Sequence, residues 1–197
     1  MLNKKDLDQI NKTTGEVRGV VFKTDLKYVE KVKGKKGVEK IKNEIQKIEP
    51  DFKHSEIKNL GFYPLKWRAL VLLIIKESFN WSEADLHEMG RTAPTHSFII
   101  KTLLRYFISF KKTCHEAPTY WNKHYNRGKF ELAKFDEDEK IVIFRLHDLK
   151  IHPVMCPYLS GYFQGVAELT NRSPKVKCRE EKCMFKGDDL HEFVIRW

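Results

Sequence analysis

The hydrophobic rhythm of the chain changes at Gly128. Before it, apolar residues recur mostly at helical spacing; after it they alternate, with one return to helical spacing. Val38, Ile41, Ile45 and Ile48 recur every three or four residues with charges between them, which predicts an amphipathic helix. Gly34 and Gly37 break the chain ahead of it and Pro50 ends it. From Phe62 to Phe79, Trp67 and the run Ala69 to Ile75 leave almost no polar face, so a helix buried all round is predicted. Ser82 with Asp85 is a capping-box pattern that opens a helix to about Gly90. Thr95 to Phe110 has a wide apolar face that includes Phe98, Tyr106 and Phe107. A second capping pattern, Thr113 with Glu116, leads into a helix bearing Tyr120, Trp121 and Tyr125.

Beyond Gly128, Lys129–Phe135 and Lys140–Leu146 read as strands joined by the polar turn Asp136 to Glu139. Pro153 to Thr170 reads as a helix with Met155, Leu159, Tyr162, Phe163, Val166 and Leu169 on its apolar face. Gly161 and Gly165 stack on one side of it and admit another backbone, expected to be the sheet. Pro174–Glu181 and His191–Trp197 read as a closing hairpin. Near the start, Arg18 to Lys23 is β-prone, and residues 1–16 are polar and expected to be a flexible N-terminus. The expected fold class is α+β: N-terminal helices packed on a C-terminal antiparallel sheet with one inserted helix, as a single domain over residues 17–197.

Composition narrows this further. The 197 residues are 41% hydrophobic, enough for a core in one domain. No apolar run approaches the roughly 20 residues of a membrane span. No signal-like core follows Lys4 and Lys5, so a cytoplasmic protein is expected. In that compartment the four cysteines are thiols or metal ligands rather than disulfides. The net charge of +10 raises the question of an acidic partner. The basic residues are dispersed among acidic ones, however, and the densest cluster, Lys31 to Lys36, has no interleaved aromatics, so nucleic acid is not the expected partner. There is no phosphate-binding loop and no recognisable catalytic set, so no enzyme is expected.

The candidate chemistry lies in the last third. Cys156 falls in the first turn of the Pro153 helix, Glu180 on a strand face, Cys183 in the turn that follows and His191 at the start of the returning strand. Two sulfurs, one nitrogen and one oxygen suit a closed, structural Zn²⁺ site. Cys178 competes with Glu180 for the place in that set, and buried free thiols are the other reading.

The same residues carry a family resemblance. Glu180-x-x-Cys183, then Lys186-Gly187-Asp188, then His191-x-Phe193, resembles the closing signature of 4-vinyl-reductase-type domains, and Pro157 to Glu168 is similar to their preceding helix. The resemblance covers about Thr95 to Trp197. It implies that zinc is held by Cys156, Glu180, Cys183 and His191, with His where the family has a last Cys. It also implies a dimeric α+β fold shared with vesicle-tethering transport-particle subunits, and a pocket for small apolar molecules. The aromatic helices around Trp67, Phe98, Phe107, Trp121 and Tyr162 are the place for such a pocket, unless they simply fill the core. The N-terminal half resembles the haem nitric-oxide/oxygen sensors: Arg18 to Phe22 is similar to their opening segment, and His115 falls near their proximal ligand. Their Tyr-x-Ser-x-Arg clamp for the haem propionates is replaced here by Leu149-Lys150-Ile151-His152-Pro153. The expected function is a non-enzymatic sensor module for a small apolar ligand, with structural zinc, as a homodimer. A haem-based gas sensor and a dimeric scaffold without ligand are the alternatives.

Overall fold

The structure is a computed structural model, and it describes residues 2–96, 109–171 and 175–197. Its elements in chain order are α1 (Lys4–Asn11), β1 (Glu16–Arg18), α2 (Val20–Ile48), β2 (Phe62–Pro64), α3 (Lys66–Phe79), α4 (Glu83–His96), α5 (Phe110–His124), β3 (Lys129–Asp136), β4 (Ile141–His147), α6 (Met155–Asn171), β5 (Lys177–Lys182) and β6 (His191–Arg196). The last four strands form one antiparallel sheet in the order β3-β4-β6-β5, and β1 pairs with β2 as a small separate ribbon. This is the expected α+β arrangement, with helices first and a sheet interrupted by one helix. No helix among the described residues is long and apolar enough to cross a membrane.

Alternation in the strands decides which side of the sheet is covered. Val142, Phe144 and Leu146 of β4, with Phe193 and Ile195 of β6, point inward and are buried. Phe163 of α6 sits in the middle of that face, its ring centroid 4.9 Å from Phe193, 5.1 Å from Phe130 and 5.8 Å from Phe144. On the helical side α3 is buried from Trp67 to Ile75, as its unbroken apolar run requires.

Several local readings differ from the structure for physical reasons. Residues 4–11, expected to be flexible, form a helix. Asn3 caps it by accepting from the Asp6 N–H at 2.8 Å, Ile10 is buried, and Gln9 Nε2 donates to the Ile151 carbonyl at 3.0 Å. The β-prone Arg18 to Lys23 segment is strand only as far as Arg18. Phe22, Leu26 and Val29 are buried along one helical face and Val20 is buried on the other side, and tertiary burial outweighs local β preference. The break expected at Gly34 is present: with φ +68° and ψ −178° it leaves helical geometry, so α2 is two helical segments joined at a kink, the second running to Ile48. The helix of Phe62 to Phe79 begins at Lys66, after strand β2. The Ser82–Asp85 capping box is present, with Asp85 Oδ2 accepting from both the Ser82 N–H and its hydroxyl at 2.8 and 2.7 Å. Helix α4 then continues past Gly90 to His96. Ser109 rather than Thr113 caps α5, accepting from the Lys112 N–H at 3.2 Å. The helix expected over Thr95 to Phe110 falls largely on residues 97–108, outside the described residues.

The glycines of α6 do admit a backbone, but it belongs to α4 and not to the sheet. A Cβ on Gly161 would meet the His87 carbonyl oxygen at 1.9 Å, and one on Gly165 would meet that of Arg91 at 2.0 Å. Gly90 returns the contact, since its Cβ would meet the Tyr158 carbonyl oxygen at 2.1 Å. The opposing atoms are backbone, so no side chain can swing aside to relieve the clash. Gly161→Ala should therefore cost about 3 kcal/mol of unfolding free energy, the upper end of overpacking. Urea denaturation measures it, and a loss under about 1 kcal/mol would mean that the two helices can part cheaply.

Candidate functional site: a buried ion cluster beside an apolar cavity

Arg68 is the single charged residue in the buried run from Trp67 to Ile75, and it is fully buried. A guanidinium taken out of water requires an anionic partner. Asp25, buried in the second turn of α2, provides it by accepting from Arg68 Nη1. The Tyr158 hydroxyl on α6 donates to the other carboxylate oxygen at 3.0 Å, and the guanidinium lies 4.3 Å from the centroid of the same tyrosine ring. Burial pushes the Asp25 carboxyl up from its usual range, and Arg68 and Tyr158 oppose that shift. Burial acts against the charge on Arg68, but Asp25, Tyr158 and Tyr125 outweigh it and hold its pKa above the ordinary value. Burial also keeps the Tyr158 hydroxyl protonated and available as a donor. Arg68 Nε is buried and has no hydrogen-bond partner among the described residues.

Arg68 and Tyr158 also form part of the wall of a cavity of about 150 Å³ between α5, α6 and the sheet. Phe110, Cys114, Ala117, Trp121 and His124 of α5 line it, together with Tyr162 and Phe163 of α6 and Phe130, Phe144 and Ile195 from the strands. Trp121 is fixed by stacking between Tyr125 and Phe130, with centroids at 4.3 and 5.2 Å, and its Nε1 donates to the Arg127 and Gly128 carbonyls. His124 Nδ1 donates to the Tyr120 carbonyl at 2.9 Å, which leaves Nε2 with its lone pair. Burial lowers the pKa of His124, so the ring is neutral at pH 7. The Cys114 thiol is pushed up to about 12 by burial and is therefore protonated.

Of the five residues expected at a pocket, Trp121 and Tyr162 line this cavity. Trp67 does not: it packs against Phe52 at 5.2 Å and Tyr63 at 6.1 Å, and its Nε1 donates to Glu49. Phe98 and Phe107 lie outside the described residues. The Arg68–Asp25–Tyr158 cluster was not anticipated, although an arginine inside a nine-residue apolar run is a legible signal that a buried counter-charge must exist.

Cys156, Glu180, Cys183 and His191 come together at the N-terminal end of α6, with one ligand-type atom from each lying within 4.8 Å of the others. His191 Nδ1 and Glu180 Oε1 are 2.7 Å apart, and the two sulfurs are 3.7 Å apart. Burial, then Glu180 and Cys183, raise the Cys156 pKa. Cys178 is not in this group. It packs under α6, where its N–H donates to Gln164 Oε1 at 3.2 Å and its carbonyl accepts from Ser160 at 3.1 Å. His152 joins α1 to the start of α6, with Nδ1 accepting from the Val154 N–H and Nε2 facing Asp6 at 3.3 Å.

The architecture is that of the haem-nitric-oxide/oxygen-binding (H-NOX) domains. An H-NOX protein from Shewanella oneidensis in the Fe(II)NO ligation state superposes with a TM-score of 0.68 at 14% identity, over 91% of this chain and 98% of that one. An H-NOX mutant from K. algicida in the unliganded Fe(II) state gives 0.62 at 15%, over 91% and 95%. An oxygen-binding H-NOX domain related to soluble guanylate cyclases gives 0.63 at 10%, over 91% and 94%. No protein-family model matches the sequence, and no curated protein matches it. These likenesses define the fold. They bear out the haem-sensor half of the resemblance as a matter of architecture, and do not show the 4-vinyl-reductase half. They also correct the expected cofactor: the solved relatives of this fold carry haem iron, so structural zinc is withdrawn as the cofactor of this chain.

Haem, in turn, meets poor accommodation among the described residues. His115 is exposed, with Nδ1 donating to the Lys111 carbonyl at 2.8 Å, and so faces no cavity. Arg68 already has its charge committed to Asp25. The segment ahead of α6 offers buried Leu149 and Ile151 where a propionate clamp would stand. A cavity of about 150 Å³ has room for a single benzene ring, far less than a porphyrin. The residues present do not fit the group.

Two measurements follow from this geometry. Asp25→Asn leaves Arg68 buried without its counter-charge and should cost about 3–5 kcal/mol, whereas Tyr158→Phe removes one hydrogen bond to a charged acceptor and should cost about 1.5–3 kcal/mol. Equal costs in urea unfolding would contradict the ion pair as the stronger of the two interactions. Burial also lowers the pKa values of His54, His87 and His124. The unfolded chain then takes up protons first on acidification, so their stability contribution is full above about pH 6.5 and is lost as pH falls below it. The urea midpoint should drop between pH 7.5 and 5.5, and His124→Asn should flatten that slope; an unchanged slope would remove His124 from the account.

Proposed function

We propose that this chain is a sensor module of the H-NOX fold, which encloses a small molecule and does not catalyse a reaction. The observation that carries this reading is the cavity between α5, α6 and the sheet, apolar in most of its wall yet bounded by Arg68, Tyr158 and a neutral His124. The fold likeness supports a ligand-binding sensor. Among the alternatives it favours a haem-based gas sensor over a zinc-bearing binder of apolar ligands. The described residues of this chain then modify that preference, because among them haem finds neither space nor clamp. The ligand on this reading enters the cavity itself. Similarity of the closing residues to 4-vinyl-reductase-type domains supports the same kind of ligand. A cytoplasmic homodimer belongs to the proposal on the strength of the sequence reading alone.

Titration of the purified protein with hemin under reducing conditions tests the proposal. The expected result is no sharp Soret band and no spectral change on adding carbon monoxide or nitric oxide, with wild type and His124→Ala alike. A stoichiometric Soret band that shifts with either gas would overturn this reading in favour of a haem-based gas sensor.

A further inference from the structure

Apart from the cavity, the chain carries a concentrated positive charge on a segment that protrudes. From Lys27 to Lys47, eight lysines stand against three glutamates, which accounts for five of the chain's ten net positive charges. Lys42 and Lys47 are committed to ion pairs with Glu39 and Glu44, and Lys40 donates to the Ser78 carbonyl at 2.7 Å. Lys31, Lys35 and Lys36 have no ion pair or hydrogen bond among the described residues. The α4 carboxylates within reach of this field, Asp85 and Glu88, are bonded to Ser82 and Arg91 instead. Residues 31–36 are all exposed. A helix lying on a core buries part of each turn, so six exposed positions in succession lift this segment clear of the body. The kink at Gly34 lies at its centre, and a Cβ there would meet nothing within 4 Å. Val32, 47% exposed, is the apolar side chain of this tip. Such a tip offers no cleft to grip a peptide, and lysine lacks the planar fork that fixes a single carboxylate. No aromatic side chain interleaves the lysines to stack a nucleic-acid base. A flat anionic surface needs neither: lysines settle among its headgroups and an apolar side chain enters below them. We propose that residues 31–36 dock the protein peripherally on a bilayer containing phosphatidylserine, with Lys31, Lys35 and Lys36 at the headgroups and Val32 in the interface.

Co-sedimentation of the full chain with vesicles tests this, using phosphatidylcholine alone and phosphatidylcholine mixed with phosphatidylserine. The protein should bind only the mixed vesicles, and less tightly as salt is raised. Replacing Lys31, Lys35 and Lys36 together by Gln should weaken binding about a hundredfold, at about fivefold for each lysine. Removing the same charge from the outer face of the sheet, by Gln at the exposed Lys177, Arg179 and Arg196, should leave binding nearly unchanged. Val32→Ser keeps the charge and should weaken binding several-fold through lost apolar burial. Every replaced side chain is exposed, so the urea midpoint should match that of the native protein in each variant. Equal binding to both kinds of vesicle, or to neither, would overturn the proposal. Binding that survives the triple lysine variant, or that is lost with the sheet variant, would remove residues 31–36 as the docking site. Val32→Ser bound as tightly as the native protein would make the tip a contact for any polyanion, acidic protein included, and would overturn the lipid assignment.

Discussion

One ion pair constrains the whole structure. Arg68 sits where α3 is buried on every side, so α2 must present Asp25 to it and α6 must present Tyr158. Those contacts join residues 43 and 133 positions apart in sequence. They tie the helical N-terminal part to the helix that covers the sheet. Replacing such a pair by apolar side chains need not destabilise a protein, but removing one partner alone does. The arrangement of α2, α3 and α6 is therefore specified by charge as well as by apolar burial.

The second constraint is the glycine-lined crossing of α4 and α6. Gly90, Gly161 and Gly165 let the two backbones touch, and Arg91 at the same crossing pairs with Glu168 at 2.9 Å and with Glu88 at 2.7 Å. With α6 pinned on one side by α4 and on another by Asp25, its remaining face has a fixed distance from α5. The cavity is the space left there. Its small volume follows from this double pinning and from the large rings of Trp121, Phe130 and Phe163.

Much of this was legible in the sequence. Period-two alternation placed β3, β4 and the closing hairpin, and the uninterrupted apolar run from Ala69 to Ile75 marked α3 as central. The spacing of Cys156, Glu180, Cys183 and His191 predicted a convergence that the structure contains, although zinc as the cofactor did not survive comparison with the haem-bearing relatives of the fold. What could not be read was long-range. Val20-Val21-Phe22 looks β-prone alone and becomes helical because Phe22 and Leu26 are buried against other elements. The partner of Gly161 is fixed by tertiary packing, so spacing alone could not distinguish α4 from the sheet. Trp67 and Trp121 are equally aromatic in sequence, yet one caps the α3 end of the core and the other lines the cavity. An apolar pattern locates a core, and only topology divides it into filled and open regions.

An H-NOX architecture whose cavity among the described residues is too small for haem implies that the fold can hold a different, smaller guest. Crystals of the protein pressurised with xenon test that claim most directly, because xenon enters dry apolar cavities of this size. The account predicts one xenon site between α5 and α6, within contact of Trp121, Phe163 and the Arg68 guanidinium. Electron density for a porphyrin in that space, or side chains that close it and exclude xenon, would contradict the account.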